Sequence, residues 1–238
     1  MTHLTSVMLD KGGLRAALLT FCLFFLINFT PTTAQDQPNE WVYRGDIAHT
    51  GQYDSPPMLT APTQLWQFPI ERPVRTSLAV VGDLVYGGSE NGNLYAVDRE
   101  TGKEVWRFTD KVSFVSSPSV LNGVLYVGAL DGNVYALDAL TGKEIWHYTT
   151  GNQIYSSPTI ANDMLYIGSL DNNLYALDPV TGKEIWHAAT AGQVWSSPAV
   201  DANGTVYIGS HDHFVYAYNG KTGEQIWKFD TGGEINAS

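Results

Sequence analysis

Few residues in this 238-residue chain have the type and spacing to do chemistry. His211-Asp212-His213 puts two imidazoles at i, i+2, where a strand would aim both toward one metal ion such as zinc. A zinc site needs three or four ligands, and no further cluster stands nearby, so a solvated turn is expected. Arg44-Gly45-Asp46 spells an adhesion motif but reads as a turn, since short motif matches carry a high false-positive rate. Asn203-Gly204-Thr205 is a glycosylation sequon only in a eukaryotic secretory path, and is otherwise a hairpin turn. Cys22 is the one cysteine and lies inside an apolar run. No catalytic residue and no metal ligand set is read from the chain.

One register behaves differently. Arg75, Val115, Tyr155, Trp195 and Asn236 each stand directly before a pair of small residues that changes little, as in Ser116-Ser117, Ser156-Ser157 and Ser196-Ser197. Pro73, Ser113, Gln153, Gln193 and Glu234, two residues earlier, vary as well. Arg75, Tyr155, Trp195 and Asn236 are therefore the candidates for binding, against the alternative that the place simply tolerates variety.

The elements that position these residues follow from a repeat. The stretch Ser116–Trp146 returns as Ser156–Trp186 and Ser196–Trp227, with a looser copy at Thr76–Trp106. The tryptophans at 106, 146, 186 and 227 are spaced by 40, 40 and 41 residues. A fixed period near this length marks a repeat architecture. Each copy holds four short β-type runs parted by turn residues, which is one four-stranded blade of an all-β propeller. In the second copy the runs are Phe114–Val120, Gly123–Ala129, Val134–Asp138 and Glu144–Thr149, with turns at Asn122-Gly123, Asp131-Gly132-Asn133 and Thr141-Gly142. Blades are expected at about 74–110, 113–150, 153–190 and 193–231. The first strand of a blade lines the central channel, so the varied side chains should ring its mouth. Tyr86, Tyr126, Tyr166 and Tyr207 share one register, and Tyr95, Tyr135, Tyr175 and Tyr216 another, and both are expected in the core.

The string A-x-D-x-x-T-G-K-x-x-W resembles the tryptophan-docking motif of the PQQ-like repeat family of quinoprotein-type propellers. It is complete at Ala96, Asp98, Thr101, Gly102, Lys103 and Trp106, at Ala136, Asp138, Thr141, Gly142, Lys143 and Trp146, and at Ala176, Asp178, Thr181, Gly182, Lys183 and Trp186. The fourth copy keeps Gly223 and Trp227 but has Asn219 for the aspartate and Glu224 for the lysine. The resemblance implies two kinds of function. One is a non-catalytic scaffold that binds protein partners, similar to BamB-like propellers of outer-membrane assembly. The other is a piece of a dehydrogenase that uses pyrroloquinoline quinone (PQQ), whose marks include an adjacent cysteine pair. That pair is absent, and Asp98, Asp138 and Asp178 recur as turn formers, so no enzyme and no cofactor is expected.

Outside the repeats, residues 1–34 read as a signal peptide. Lys11 and Arg15 precede the apolar run Ala16–Phe29, and small residues end at Ala34. Fourteen apolar residues are short of the ~20 a membrane span needs, so no integral membrane segment is expected after cleavage. An exported location, periplasmic or extracellular and possible at the outer membrane, follows. Cleavage removes a net +1 and takes the charge from −11 to −12, which opposes nucleic acid and anionic lipid. Residues 35–62 read as an irregular arm before the repeats at 63–238. Leu65–Phe68 is expected to be a lone fourth strand, and Gly233–Ser238 the start of another first strand. The expectation is an open arc of an eight-bladed ring, with the chain truncated at its C-terminal end.

Overall fold

The computed structural model describes residues 63–236. The expected signal peptide with Cys22, the arm with Arg44-Gly45-Asp46, and Ala237-Ser238 lie outside the described residues. The described residues form sixteen strands and no helix. The first sheet holds β1 (Ala79–Val81), β2 (Leu84–Gly88), β3 (Asn93–Asp98) and β4 (Glu104–Thr109). The second holds β5 (Ser119–Leu121), β6 (Val124–Gly128), β7 (Asn133–Asp138) and β8 (Glu144–Thr149). The third holds β9 (Thr159–Ala161), β10 (Met164–Gly168), β11 (Asn173–Leu177) and β12 (Glu184–Ala189). The fourth holds β13 (Ala199–Val200), β14 (Thr205–Gly209), β15 (Phe214–Asn219) and β16 (Gln225–Asp230). Each sheet is an antiparallel meander with its strands in chain order, and the four follow one another as blades of an open arc.

Turn chemistry sets each meander. Asn122-Gly123 and Asn162-Asp163 both hold positive φ at two successive residues, the geometry that matches strand twist in a tight hairpin. The extra residue behind the 41-residue spacing sits in the β13–β14 connection. Four residues, 201–204, stand there in place of two, one of them because β13 is a residue shorter than β9, and the Asp201 carboxylate ties the loop by accepting from the amides of Asn203 and Thr205 at 2.8 and 2.9 Å. The outer strand of every blade carries a bulge opposite the same alanine: Ala96, Ala136, Ala176 and Ala217. A bulge places two residues opposite one and turns the strand. It leaves Val105, Ile145, Ile185 and Ile226 facing solvent and Trp106, Trp146 and Trp186 facing the next blade.

The turn between third and outer strands explains both departures in the fourth copy. Asp138 Oδ1 accepts from Leu140 N, Thr141 N and Thr141 Oγ1 at 3.1, 2.8 and 2.7 Å. Asn219 Oδ1 accepts the matching amides of Lys221 and Thr222 at 3.0 and 3.2 Å, so an amide oxygen serves as well. Position 224 needs only its carbonyl, which takes the Asn219 amide at 2.8 Å as Lys103 takes that of Asp98.

Three apolar clusters fill the three junctions between blades. Two knobs recur in them. Trp106, Trp146 and Trp186 lie over Gly142, Gly182 and Gly223 of the following blade, so close that a Cβ on Gly142 would stand 2.5 Å from the Trp106 ring. These glycines also hold φ between 68° and 71°, which side-chain-bearing residues rarely adopt. Each indole N–H donates to a carbonyl of that blade: Trp106 to Ala139 at 2.8 Å, Trp146 to Pro179 at 3.1 Å, Trp186 to Gly220 at 2.9 Å. Tyr86, Tyr126 and Tyr166 donate to the same three carbonyls at 3.1–3.2 Å. The second knob is Phe114, Ile154 or Val194, each packed on the glycine that ends the second strand of the blade before: Gly88, Gly128 or Gly168.

Three expectations from the sequence change here. The first run of a blade is shorter than Phe114–Val120, because only Ser119–Leu121 pairs in the sheet. The residues ahead of it are spent on junction bonds instead. Ser116 Oγ takes the Gly128 amide within its blade at 3.1 Å, and Ser117 Oγ takes the Ser77 amide of the preceding blade at 2.9 Å. Pro118 has no N–H to offer a ladder. Leu65–Phe68 is not a strand. Trp66 nonetheless docks on Gly102 and donates to Arg99 O at 2.7 Å, as an outer-strand tryptophan does. Gly233–Asn236 is not a strand either, yet Ile235 packs on Gly209 in the second knob position.

Candidate functional site

The varied register lies along the inner rim of the arc, held by a backbone frame that is the same in every blade. The amides of Glu90, Leu130, Leu170 and His211 donate to the carbonyls of Pro73, Ser113, Gln153 and Gln193 at 2.9–3.1 Å. The amides of Phe114, Ile154, Val194 and Ile235 donate to Ser89, Ala129, Ser169 and Ser210 at 3.1–3.3 Å. Val115, Tyr155, Trp195 and Asn236 directly follow the knobs Phe114, Ile154, Val194 and Ile235, and Arg75 follows Val74 at the matching place. The backbone of each is therefore pinned, while its side chain is left half-buried or exposed and free to differ.

The side chains differ in order around the rim. Arg75 is exposed and ion-paired with Glu90, an arrangement worth little in solvent. Val115 and Leu130 give the next blade an aliphatic rim, and Tyr155 and Leu170 follow. Trp195 is the centre of an aromatic band. Its ring centroid is 4.1 Å from that of Tyr155, and the His211 imidazole stacks on it at 5.3 Å and 5°. Gln193 Oε1 accepts the Trp195 indole N–H at 3.0 Å, and His211 Nε2 lies 2.6 Å from Asn236 Oδ1. Of the four candidates, the structure brings Tyr155, Trp195 and Asn236 into one band through His211, and leaves Arg75 in a pair of its own.

His211-Asp212-His213 is a turn, as expected, and within it His211 is half-buried. Asp212 matches Asp171 in the preceding blade: their Oδ2 atoms accept the amides of Ala191 and Gly151, both at 2.7 Å. Asp212 also accepts the Tyr216 hydroxyl at 2.6 Å, as Asp131 accepts that of Tyr135. His213 holds φ 77° where other blades have Gly92, Gly132 or Asn172, and it is exposed. Only His211 turns into the rim. The signal that finds it is the register Glu90, Leu130, Leu170, His211, which varies as the first register does and follows a small residue each time.

The recurring aspartates are turn acceptors. Bonds from the Thr101 and Thr141 hydroxyls and amides, and from the Thr181 amide, hold the Asp98, Asp138 and Asp178 carboxyls below their ordinary range. Groups so held accept hydrogen bonds and are poor proton donors near neutrality. No group of three or more metal-binding side chains occurs among the described residues.

A family model described as outer membrane protein assembly factor BamB matches residues 59–157 and 131–238, which together include every blade. The chain belongs to the BamB family of PQQ-like repeat propellers. No curated protein matches the sequence. BamB from Moraxella catarrhalis superposes with a TM-score of 0.62 at 22% identity, over 70% of this chain and 52% of that one. The quinohemoprotein alcohol dehydrogenase of Comamonas testosteroni gives 0.60 at 22% identity, over 67% and 35%. A europium-containing methanol dehydrogenase gives 0.69 at 18% identity, over 84% and 50%. At these identities the likeness is one of fold. This BamB-family chain spans about half the length of the BamB structure. Among its described residues no helix is long and apolar enough to cross a membrane.

Proposed function

We propose that this chain is an exported, non-catalytic propeller scaffold that binds protein partners through its inner rim, in the manner of BamB-like envelope assembly components. The observation that carries this reading is the contrast within the rim. A backbone frame repeated in every blade holds side chains that change from an ion pair to an aliphatic step to the Tyr155–Trp195–His211 band. Aromatic residues held rigidly at a partly exposed place are the usual anchors of protein interfaces. Membership of the BamB family supports the same reading. The location that goes with it is periplasmic or extracellular, at or near the outer membrane, once residues 1–34 are removed as a signal peptide.

The dehydrogenase relatives suggest PQQ as a ligand, and the rim does not fit it. A planar quinone with several carboxylates needs a free ring face and unpaired cations. Trp195 is already in contact with two rings, Tyr155 and His211, and Arg75, the cation among the rim positions, is paired with Glu90.

The test is retention of envelope proteins on the immobilised chain, comparing Trp195→Ala and Tyr155→Ala with Ile185→Ala on the outer strand. Defined proteins should be retained by the parent and by Ile185→Ala and lost with the rim variants. Equal retention by all would refute the rim as the binding surface. Saturable quenching of tryptophan fluorescence by the quinone, abolished in Trp195→Ala, would refute the scaffold reading.

A further inference from the structure

The junction between the second and third blades is more open than the junction on either side of it. Both of its walls belong to complete blades that are packed on a further blade, so the opening is set by the side chains that meet there. Trp106 and Trp186 are 7% and 9% exposed in the flanking junctions, whereas Trp146 is half-buried. Pro179 stands beside it where the other junctions have Ala139 and Gly220, and it is half-buried while those two are buried. Leu121 and Val124 are half-buried as well. The result is a groove of about 520 Å³, floored by Leu121, Val124, Tyr126 and Trp146 and edged by Ile145 and Val180. It opens at the ends of the strands opposite the rim. Asn122 and Pro179 belong to the first-to-second and third-to-outer turns, and the rim residues to the other two connections.

The copies act as controls for one another at the tip of the third-to-outer turn. That place is Glu100, Leu140, Val180 and Lys221 in chain order. A charged residue serves there in two blades, so folding does not require an apolar one. Leu140 and Val180 are nonetheless 72% and 77% exposed, on the two blades that wall the groove. A single exposed aliphatic needs no account, but aliphatic tips beside an apolar groove mark a place for a partner.

The charged residues that line the groove, Asp163 and Asp178, are both acidic. Asp163 is exposed in its hairpin turn. Asp178 holds its charge well into the acid range, because the amides of Thr181 and Val180 donate to its Oδ1 at 2.8 and 2.9 Å. We propose that this groove docks an extended segment of a partner protein, with an aliphatic or aromatic side chain set on Trp146 and a neighbouring lysine or arginine against Asp163 and Asp178. Burial of the apolar side chain supplies affinity. A half-buried indole beside carboxylates favours a cation too, and the carboxylates select against acidic segments. The net charge of −11 draws basic segments toward the chain. The rim is a separate surface, so loss of binding there leaves the groove unaffected.

A random heptapeptide library displayed on phage, depleted on the Val180→Lys variant and then selected on the full chain, tests this. Lys221 occupies the matching tip in the fourth blade, so the turn accepts lysine. The recovered sequences should pair an apolar residue with an adjacent lysine or arginine. As free labelled peptides read by fluorescence anisotropy, they should bind about tenfold or more weakly to Val180→Lys and to the double variant Asp163→Asn/Asp178→Asn. Binding to the parent should also weaken as salt rises. Asparagine adopts the positive φ of Asp163 and serves as the turn acceptor at Asn219, so the double variant should fold, which circular dichroism verifies. Ile185→Ala, outside the groove, should bind as the parent does. No recovery above the unselected library, recovered sequences that lack the apolar and basic pair, or binding indifferent to these substitutions would overturn the proposal. So would light scattering that shows a dimer of the parent dissolved by Val180→Lys, since the occupant would then be a second copy.

Discussion

Trp186→Ala removes one complete blade-to-blade knob, and the structure contains its own control. The Trp186 ring is 9% exposed, lies over Gly223, and donates to Gly220 O. Truncating a large buried aromatic costs about 3–5 kcal/mol, by lost transfer energy and the cavity left behind. The lost hydrogen bond contributes about 1 kcal/mol of that, and not more, because the Tyr166 hydroxyl still satisfies the Gly220 carbonyl. An estimate of about 4 kcal/mol follows from these two effects together. Trp227→Ala removes the same side chain from the same register of the fourth blade, where no glycine socket among the described residues receives it and nearly half its surface is already in water. Its cost in dilute solution should be about 1 kcal/mol, the range of changes away from a packed core. Urea unfolding followed by far-ultraviolet circular dichroism measures both. Because each blade touches only its neighbours, Trp186→Ala should also broaden or split the transition as the fourth blade uncouples from the third. Equal costs for the two variants, or less than about 1 kcal/mol for Trp186→Ala, would refute the assignment of these tryptophans as junction knobs.

Ser157→Ala should cost about 1–3 kcal/mol, since it strands the buried Ser117 amide that now donates to Ser157 Oγ at 3.0 Å, and amide exchange at Ser117 should accelerate selectively. Asp98, Asp138 and Asp178 have folded pKa values below their unfolded ones, so the stability they contribute is present above the ordinary aspartate pKa and is lost as pH falls through the folded values. Urea midpoints should therefore hold near neutrality and drop in the acid range below pH ~4, and Asp138→Asn should flatten that drop, as Asn219 already replaces one such carboxylate. At the alkaline end, burial raises Tyr86, Tyr126 and Tyr166 from 10.0 to about 12. Their stabilising contribution is intact below pH 10 and is lost between 10 and about 12, so phenolate absorbance of these residues should rise together with unfolding, not before it.

The fold was legible because a repeat states its own geometry several times. One copy of Asn122-Gly123 or Thr141-Gly142 is an ambiguous turn, whereas four copies in register with a tryptophan leave little but a four-stranded blade. The docking motif was legible for the same reason, but Asn219 read only as a departure from it; that the turn needs an acceptor oxygen and not a charge took the structure to show. Strand ends were less so: Ser116-Ser117-Pro118 has β character, but its side chains serve the neighbouring blade, a use visible only once the blades are side by side. Trp66 and Ile235 were legible as repeat residues, while their docking without a strand around them depends on sockets far away in sequence.

The rim divides in the same way. Sequence by itself determined that Arg75, Tyr155, Trp195 and Asn236 share a register whose neighbours are constrained, because the internal copies act as controls for one another. It could not determine that Trp195 meets two rings, Tyr155 and His211, or that His211 and not Arg75 joins the band. Those facts depend on side chains from two connections of one blade and the edge of the next meeting in space, at separations of 16 to 40 residues. Periodicity reports what each blade must do to fold; only the packing of one blade on another decides which of its free side chains meet.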